Sequence, residues 1–328
     1  MRDRAALARA GIGEAPTPVG ESDPRVGVTL GHLRSLEGRA RRISFLPRQP
    51  ARSVLNGRHA SKLRGRGLNF EELRDYLPSD DVRAIDWKVT ARTGKPHIRV
   101  FTEERDRPAL IVVDQRMSMF FGSVLNMKSV TAAEAAALAA FRIFDHGDRV
   151  GGIVFGDRNI AAIRPRRSRM ALTGFLTALA DANKLLSAET PAVEPMPLNR
   201  VLQSVARIAK RDHLVLIFSD FDGIDETTHR LVSGLPRHND LVLGLVSDPY
   251  ARALPQDLRV VVSDGELQAE IDTGEVEIHR WLADMAEGRI GEILDWRRRF
   301  GVPVLPLTRA EESVPQIRRL MGLAEGRR

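Results

Sequence analysis

The sequence predicts an α/β fold: a doubly wound, mostly parallel sheet with helices on both faces, preceded by a small β-rich subdomain. Strand and helix patterns alternate over roughly 200 residues after Pro108, as successive βα units require. The strand patterns ALIVVD, RVGGIVFGD, HLVLIFSD and LVLGLVSD are nearly continuous apolar runs, which marks strands covered on both faces. Hydrophobic residues make up 43% of the 328 but aromatic ones only 5%, so the core has to be built from Val, Leu, Ile and Ala.

Residues 1–28 mix Gly, Pro, Glu and Arg without periodicity and read as a flexible arm. Residues 29–107 are expected to hold an N-terminal helix and the small β-rich subdomain. Leu30, Leu33, Leu36, Ala40 and Ile43 share one helical face, the pattern of a short docking helix. Gly57, Gly65, Gly67, Pro78, Gly94 and Pro96 then break the chain into short pieces, with HIRVF the clearest strand. Residues 108–328 form the α/β domain. ALIVVD opens it, an alanine-rich helix follows from Lys128 to Asp145, RVGGIVFGD is the second strand and NIAAIRP a third at an edge. Helices from Arg169 to Leu186 and from Leu198 to Lys210 flank a loop marked by the prolines of SAETPAVEPMP. After them come HLVLIFSD, a helix near Glu226 to Leu235, LVLGLVSD, a hairpin at Asp264-Gly265, a long helix from Val276 to Phe300, the strand VPVLPL and a last helix from Glu311 to Leu323. In the long helix, Trp281, Leu282, Met285, Ile293, Leu294 and Trp296 recur at helical spacing and read as core.

The formal net charge is +7 and its excess is local: Arg34 to Arg66 holds ten Lys/Arg against one acid, Glu37. Such a segment suits an acidic protein surface or a nucleic acid, but too few aromatic residues interleave to stack bases, which favours a solvated arginine-rich face. Cysteine is absent, which removes disulfides, thiolate nucleophiles and cysteine-ligated zinc. The first residues lack the apolar stretch of a signal peptide, and no later run reaches the ~18 apolar residues of a membrane span. A cytoplasmic protein without membrane insertion is therefore expected. No G-x-x-x-x-G-K-[ST], G-x-S-x-G or H-E-x-x-H motif occurs, and the eight histidines show no metal spacing.

In a doubly wound sheet, ligands gather at the carboxyl ends of strands where the strand order reverses. Asp114, Asp220 and Asp248 each end a predicted strand, although a lone acid there more often caps a helix or shapes a turn. Asp114-Gln115-Arg116-Met117-Ser118 has the one-three-five spacing of Asp-x-Ser-x-Ser, and Asp220 lies in Ser219-Asp220-Phe221. Here the chain resembles the von Willebrand factor A fold, whose metal-ion-dependent adhesion site takes an Asp and two hydroxyls from one loop, a Thr from a second and an Asp from a third. The resemblance implies Mg²⁺ as cofactor, held by Asp114, Ser118, Asn199 and Asp220. An octahedral oxygen set with few charges leaves such a metal able to accept a partner's carboxylate. Two positions depart from the pattern: Arg116 stands at the first hydroxyl, and Asn199 in PMPLNRVLQ stands where Thr or Ser is usual. A guanidinium cannot coordinate a cation, but it can pair bidentately with a carboxylate. Either Arg116 folds back onto Asp114 or Asp220 and replaces the metal's charge, or it points outward and Mg²⁺ stays on Asp114, Ser118 and Asp220.

Upstream, the segment GRGLNFEELRDYLPSDDVRAIDWKVTARTGKPHIRVF carries Gly65, Gly67, Phe70, Arg74, Tyr76, Asp80, Asp81, Arg83, Ile85, Asp86, Trp87, Ala91 and Arg92 at the spacing G-x-G-x-x-F-x-x-x-R-x-Y-x-x-x-D-D-x-R-x-I-D-W-x-x-x-A-R. It closely resembles the signature of the domain of unknown function 58 (DUF58) family, which precedes a von Willebrand factor A-like domain. Members of that family are often encoded beside MoxR-type AAA+ ATPases, which implies an adaptor or co-chaperone working with such an ATPase. Many carry two membrane helices near the N-terminus; without them this chain resembles a soluble branch. Read for their charges alone, Arg74, Asp75, Asp80, Asp81, Arg83, Asp86 and Arg92 around Tyr76 and Trp87 suit an ion-pair network with one buried aromatic, or a partner-binding face. Acid–base chemistry fits less well, because adjacent Asp80 and Asp81 on a strand point to opposite faces.

The function expected is non-enzymatic: an adaptor for a MoxR-type ATPase and a client protein, binding through Asp114, Arg116, Ser118 and Asp220 at the carboxyl edge of the sheet. One alternative is a nucleic-acid-binding protein using the 34–66 segment, whose binding would fall steeply with salt. The other is a metal-dependent hydrolase, whose turnover would be lost in Asp114→Ala.

Overall fold

The computed structural model describes residues 23–41, 68–77, 80, 82–103, 107–122, 125–187, 193–248, 259–263, 268–272 and 276–320. The chain divides into two compact units, one from Met1–Phe45 with Pro108–Arg328 and the other from Leu46–Arg107.

The larger unit is a mixed α/β structure with a six-stranded, mostly parallel sheet. Its strands are β3 (Pro108–Asp114), β4 (Arg149–Phe155), β5 (Ile160–Arg166), β6 (Leu214–Ser219), β7 (Asp240–Ser247) and β10 (Val304–Thr308), in the order β10-β7-β6-β3-β4-β5. Only β5 runs antiparallel, on β4 at one edge. Because the strands are apolar throughout, alternate residues feed two separate cores. Ala109, Ile111 and Val113 of β3 face one core, with Leu214, Leu216 and Phe218 of β6; Leu110 and Val112 face the other, with Val215 and Ile217. The first core is closed by α4 (Lys128–Asp145), α5 (Arg169–Lys184) and α9 (Ser313–Leu320), the second by α6 (Leu198–Ile208), α7 (Glu226–Gly234) and α8 (Val276–Phe300). A further antiparallel pair, β8 (Arg259–Ser263) with β9 (Gln268–Asp272), flanks the expected Asp264-Gly265 turn, which itself lies outside the described residues.

With both faces buried, the register cannot rest on an inside–outside alternation, and size complementarity takes over. A Cβ on Gly152 would come within 2.3 Å of the Phe175 ring and 2.7 Å of the Ile111 carbonyl, so the glycine of β4 is the socket into which α5 lays a phenylalanine.

The N-terminal helix joins this unit rather than the 29–107 segment in which it was expected. It is two short pieces, α1 (Leu30–Ser35) and α2 (Glu37–Ala40), whose Leu33, Leu36 and Ala40 are buried in the first core; Ile43 lies outside the described residues. Val28, expected in the arm, is also buried there. The physical reason is a chain of buried amides. Val28 N–H donates to Asn183 Oδ1 (2.8 Å), Asn183 Nδ2 donates to Gln115 Oε1 (2.8 Å) and Gln115 Nε2 donates to the Ser129 carbonyl (3.0 Å). Asn183→Leu should therefore cost about 1–3 kcal/mol, the penalty for stranding buried partners, and should speed hydrogen exchange at Val28. Unchanged exchange there would show that the amide chain does not hold the segment.

The smaller unit is described by itself. Strands β1 (Leu68–Asp75) and β2 (His97–Glu103) pair antiparallel, and between them lies a short helix, α3 (Trp87–Thr93), that no apolar periodicity marks in the sequence. Asp86 caps it by accepting from the N–H groups of Lys88 (3.0 Å) and Val89 (3.2 Å), and Gly94 ends it at φ 74°, a left-handed conformation that favours glycine. Arg74 grips Asp80 with two hydrogen bonds of 2.8 and 2.7 Å, which holds the Asp80 carboxyl below its ordinary pKa. The signature is thus, in part, the wiring of one strand–turn–helix. Trp87 is not a buried centre: it stands 63% exposed at the first helical position, and Arg83 and Arg92 are exposed too, while Tyr76 is half-buried. Asp81 lies outside the described residues.

Candidate functional site

Going out from β3, the chain visits β4 on one side and later β6 on the other, so the strand order reverses between β3 and β6. Their carboxyl ends bring Asp114 and Ser219-Asp220 to one crevice, where a doubly wound sheet places ligands. Both acids are buried, Asp114 completely.

Arg116 lies folded onto Asp114. Its Nη2 donates to Oδ2 at 2.8 Å, its Nε to Oδ1 and Oδ2 at 3.1 and 3.2 Å, and its backbone N–H to Oδ1 at 3.0 Å. The rest of the guanidinium is taken up by the carbonyls of Met196 (3.2 Å) and Asp222 (3.2 Å), and Nη2 stands 3.9 Å from Asp220 Oδ1. Ser219 Oγ donates to Asp114 Oδ2 at 2.6 Å and accepts from Phe221 N–H at 2.8 Å. Asp220 has its own cation: Lys128, the first residue of α4, donates from Nζ to Oδ2 at 2.6 Å. Asp220 Oδ1 accepts from Asp222 N–H (3.1 Å) and, weakly, from Ser118 Oγ (3.4 Å).

Burial pushes the Asp114 carboxyl up from its ordinary value, against the pull of the Arg116 guanidinium and the Ser219 hydroxyl. Burial acts the same way on Asp220, but there the Lys128 ammonium, with Arg116 behind it, prevails and holds the carboxyl below the usual range. Arg116 loses solvation in the same place, yet Asp114 raises its pKa and keeps it charged.

Of the residues expected here, Asp114, Arg116, Ser118 and Asp220 come together. Asn199 does not join them. Sitting in the first turn of α6, it donates through Nδ2 to both oxygens of Asp225 (2.9 Å each) and accepts from Thr228 Oγ1 (2.7 Å), which braces the capping box at the start of α7. Lys128 and Ser219 were expected only as a helix start and as the neighbour of Asp220, not as partners of the two carboxylates. Lys128 is an ordinary helix-start lysine in sequence, and only its position at the carboxyl end of β3 aims it at Asp220. The third strand-end acid, Asp248, pairs with fully buried Arg309, whose Nε lies 2.7 Å from Oδ2.

Phe221 follows the site with φ 54°, a left-handed conformation that costs a non-glycine residue about 1–3 kcal/mol. The Ser219 hydroxyl on its N–H and the burial of its ring hold it there. The loop after β3 is equally constrained. Met117 N–H donates to Asp157 Oδ2 (2.8 Å), Lys128 N–H donates to the Phe121 carbonyl (2.9 Å), and the Arg309 guanidinium stacks 5.5 Å above the Phe121 ring. Met117 and Phe121 are nevertheless 37% and 50% exposed, so a fixed loop displays two large apolar side chains beside the crevice.

Among the described residues, no group of three or more His, Cys, Asp or Glu side chains could hold a metal ion, and no helix is long and apolar enough to cross a membrane. The basic segment expected at 34–66 lies mostly outside the described residues; within them, Arg41 faces Asp145 at 3.5 Å.

A family model described as "Protein of unknown function DUF58" matches residues 72–286. The chain is also similar to uncharacterized proteins of Mycobacterium tuberculosis (Rv1480, strain H37Rv) and Mycobacterium bovis (Mb1516). Each is 30% identical over 226 residues, 69% of this chain and 69% of the relative.

Proposed function

We propose, for a chain that belongs to the DUF58 family, a non-enzymatic adaptor that acts in the cytoplasm and docks another protein on the carboxyl edge of its large sheet. The partner that the family resemblance implies is a MoxR-type AAA+ ATPase, with a client protein delivered to it. A von Willebrand factor A-like assignment of the large unit, with a degenerate metal-ion-dependent adhesion site, is supported by the strand-order reversal at β3/β6 and the Asp-x-Arg-x-Ser loop.

One observation carries the docking reading: Met117 and Phe121 are displayed from a loop held by the Met117 N–H on Asp157 and by the Arg309 guanidinium over the Phe121 ring. Apolar side chains on a pre-ordered loop bind without a large ordering cost, which makes them suitable anchors for an interface. The neighbouring carboxylates support a binding role over hydrolysis, since each already accepts hydrogen bonds from a cation and so is poorly placed to act as a base.

Copurification from the native cell tests this. Tagged wild type should retain an AAA+ ATPase, identified by mass spectrometry, and Met117→Asp/Phe121→Asp should lose it while staying folded by circular dichroism. Equal retention by both proteins would move the contact elsewhere, and no AAA+ protein in either sample would overturn the adaptor reading.

A further inference from the structure

We infer that Arg116 and Lys128 together stand in for a divalent cation in the β3/β6 crevice, so that this site holds its two carboxylates without metal. The inference goes beyond the adaptor reading and does not depend on it. Asp114 and Asp220 are buried at the ends of neighbouring parallel strands, where two negative charges need two positive ones. A magnesium ion would supply them as a single centre. Here the guanidinium and the ammonium supply one each, and the four groups sum to zero.

The residues present do not fit Mg²⁺. The ion needs near-octahedral oxygen ligands at about 2.0–2.1 Å, but the lone pairs it would use are taken. Asp114 Oδ1 accepts from the Arg116 backbone and Nε, and Asp114 Oδ2 accepts from Nη2 and the Ser219 hydroxyl. Asp220 Oδ2 accepts from Lys128. Of the two remaining ligands that the resemblance implied, Ser118 turns its hydroxyl to Asp220 Oδ1 (3.4 Å), and Asn199 is committed to Asp225 and Thr228. A metal would have to expel a buried guanidinium whose other nitrogen is held by the Met196 carbonyl.

The substitution has a functional consequence. A bound divalent ion accepts a carboxylate from a partner, whereas a neutral, internally paired cluster offers no open coordination position. Contact at this edge then rests on shape and apolar surface, and chelators leave it unchanged.

The test uses the full chain. Wild type titrated with Mn²⁺ should leave the free-ion electron paramagnetic resonance signal intact, and its melting temperature should be the same in Mg²⁺, Mn²⁺ or EDTA. The double variant Arg116→Ser/Lys128→Ser should melt lower in EDTA and recover several degrees, saturably, with Mn²⁺. Adding Asp220→Asn to it should abolish that recovery. Uptake of one Mn²⁺ by wild type that Asp220→Asn removes would overturn the inference, as would a folded double variant with no metal response. If the double variant does not fold, the wild-type resonance titration decides alone. None of these readouts involves a partner, so failure of the adaptor reading leaves the result intact.

Discussion

Replacing Arg116 with methionine should destabilise the protein by about 3–5 kcal/mol, the cost of leaving a buried ion without its partner. Asp114 is fully buried, and after the change the donors left to it among the described residues are the Ser219 hydroxyl and one backbone N–H. Denaturant melts measure the loss. The paired change Asp114→Leu/Arg116→Met should recover part of it, because no unpaired charge is then left inside. If the pair is as unstable as the two single changes added together, the two groups do not act as a unit. Lys128→Met should lose less than Arg116→Met, since Lys128 is less deeply buried and Asp220 keeps its hydrogen bond from Asp222.

A loss of similar size, about 3–5 kcal/mol, is expected for Trp296→Ala, which empties the centre of the second core. The indole is fully buried on α8, with ring centroids 5.9 Å from Phe221 and 5.4 Å from His229 in edge-on arrangements. Phe221 is the residue held at positive φ directly after Asp220, so the same truncation should also loosen the crevice. Hydrogen exchange at Phe221 reports that second effect. Trp296→Phe should cost clearly less than Trp296→Ala, because the phenyl ring keeps much of the indole's volume and leaves a smaller cavity. The indole Nε1–H is buried with no hydrogen-bond partner among the described residues, so losing it removes an unpaid desolvation rather than an interaction. A phenylalanine variant as unstable as the alanine one would show that the N–H has a partner after all.

The local signals in the chain were strong where a single element sufficed to produce them. Helix α4 was legible from its alanine run, and the buried strands from their unbroken apolar character, because covering both faces of a strand leaves no polar positions in it. Signals failed where short-range wiring outweighed periodicity. The helix at Trp87 is too brief to show an apolar stripe and exists through the Asp86 cap and the Gly94 stop. Trp87 looked like core because of its size, yet the first position of that helix faces outward. The N-terminal helix was recognised by its apolar face, but which unit it covers depends on Asn183, 155 residues from the Val28 it anchors.

At the site the division is similar. The sequence by itself determined that acids end the central strands, that an arginine follows the first of them two residues on, and that a hydroxyl follows it four on. Their spacing is local, and local spacing dictates that Arg116 is within reach of Asp114. Only the tertiary structure decided that Lys128 answers Asp220 across 92 residues, that Ser219 bonds Asp114 across 105, and that Asn199 turns to the capping box of α7. Those pairings follow from strand order, which places β6 against β3 and the start of α4 over both. Strand order is set by how two apolar cores and their helices close on one sheet, a balance over the whole domain that no short stretch of residues encodes.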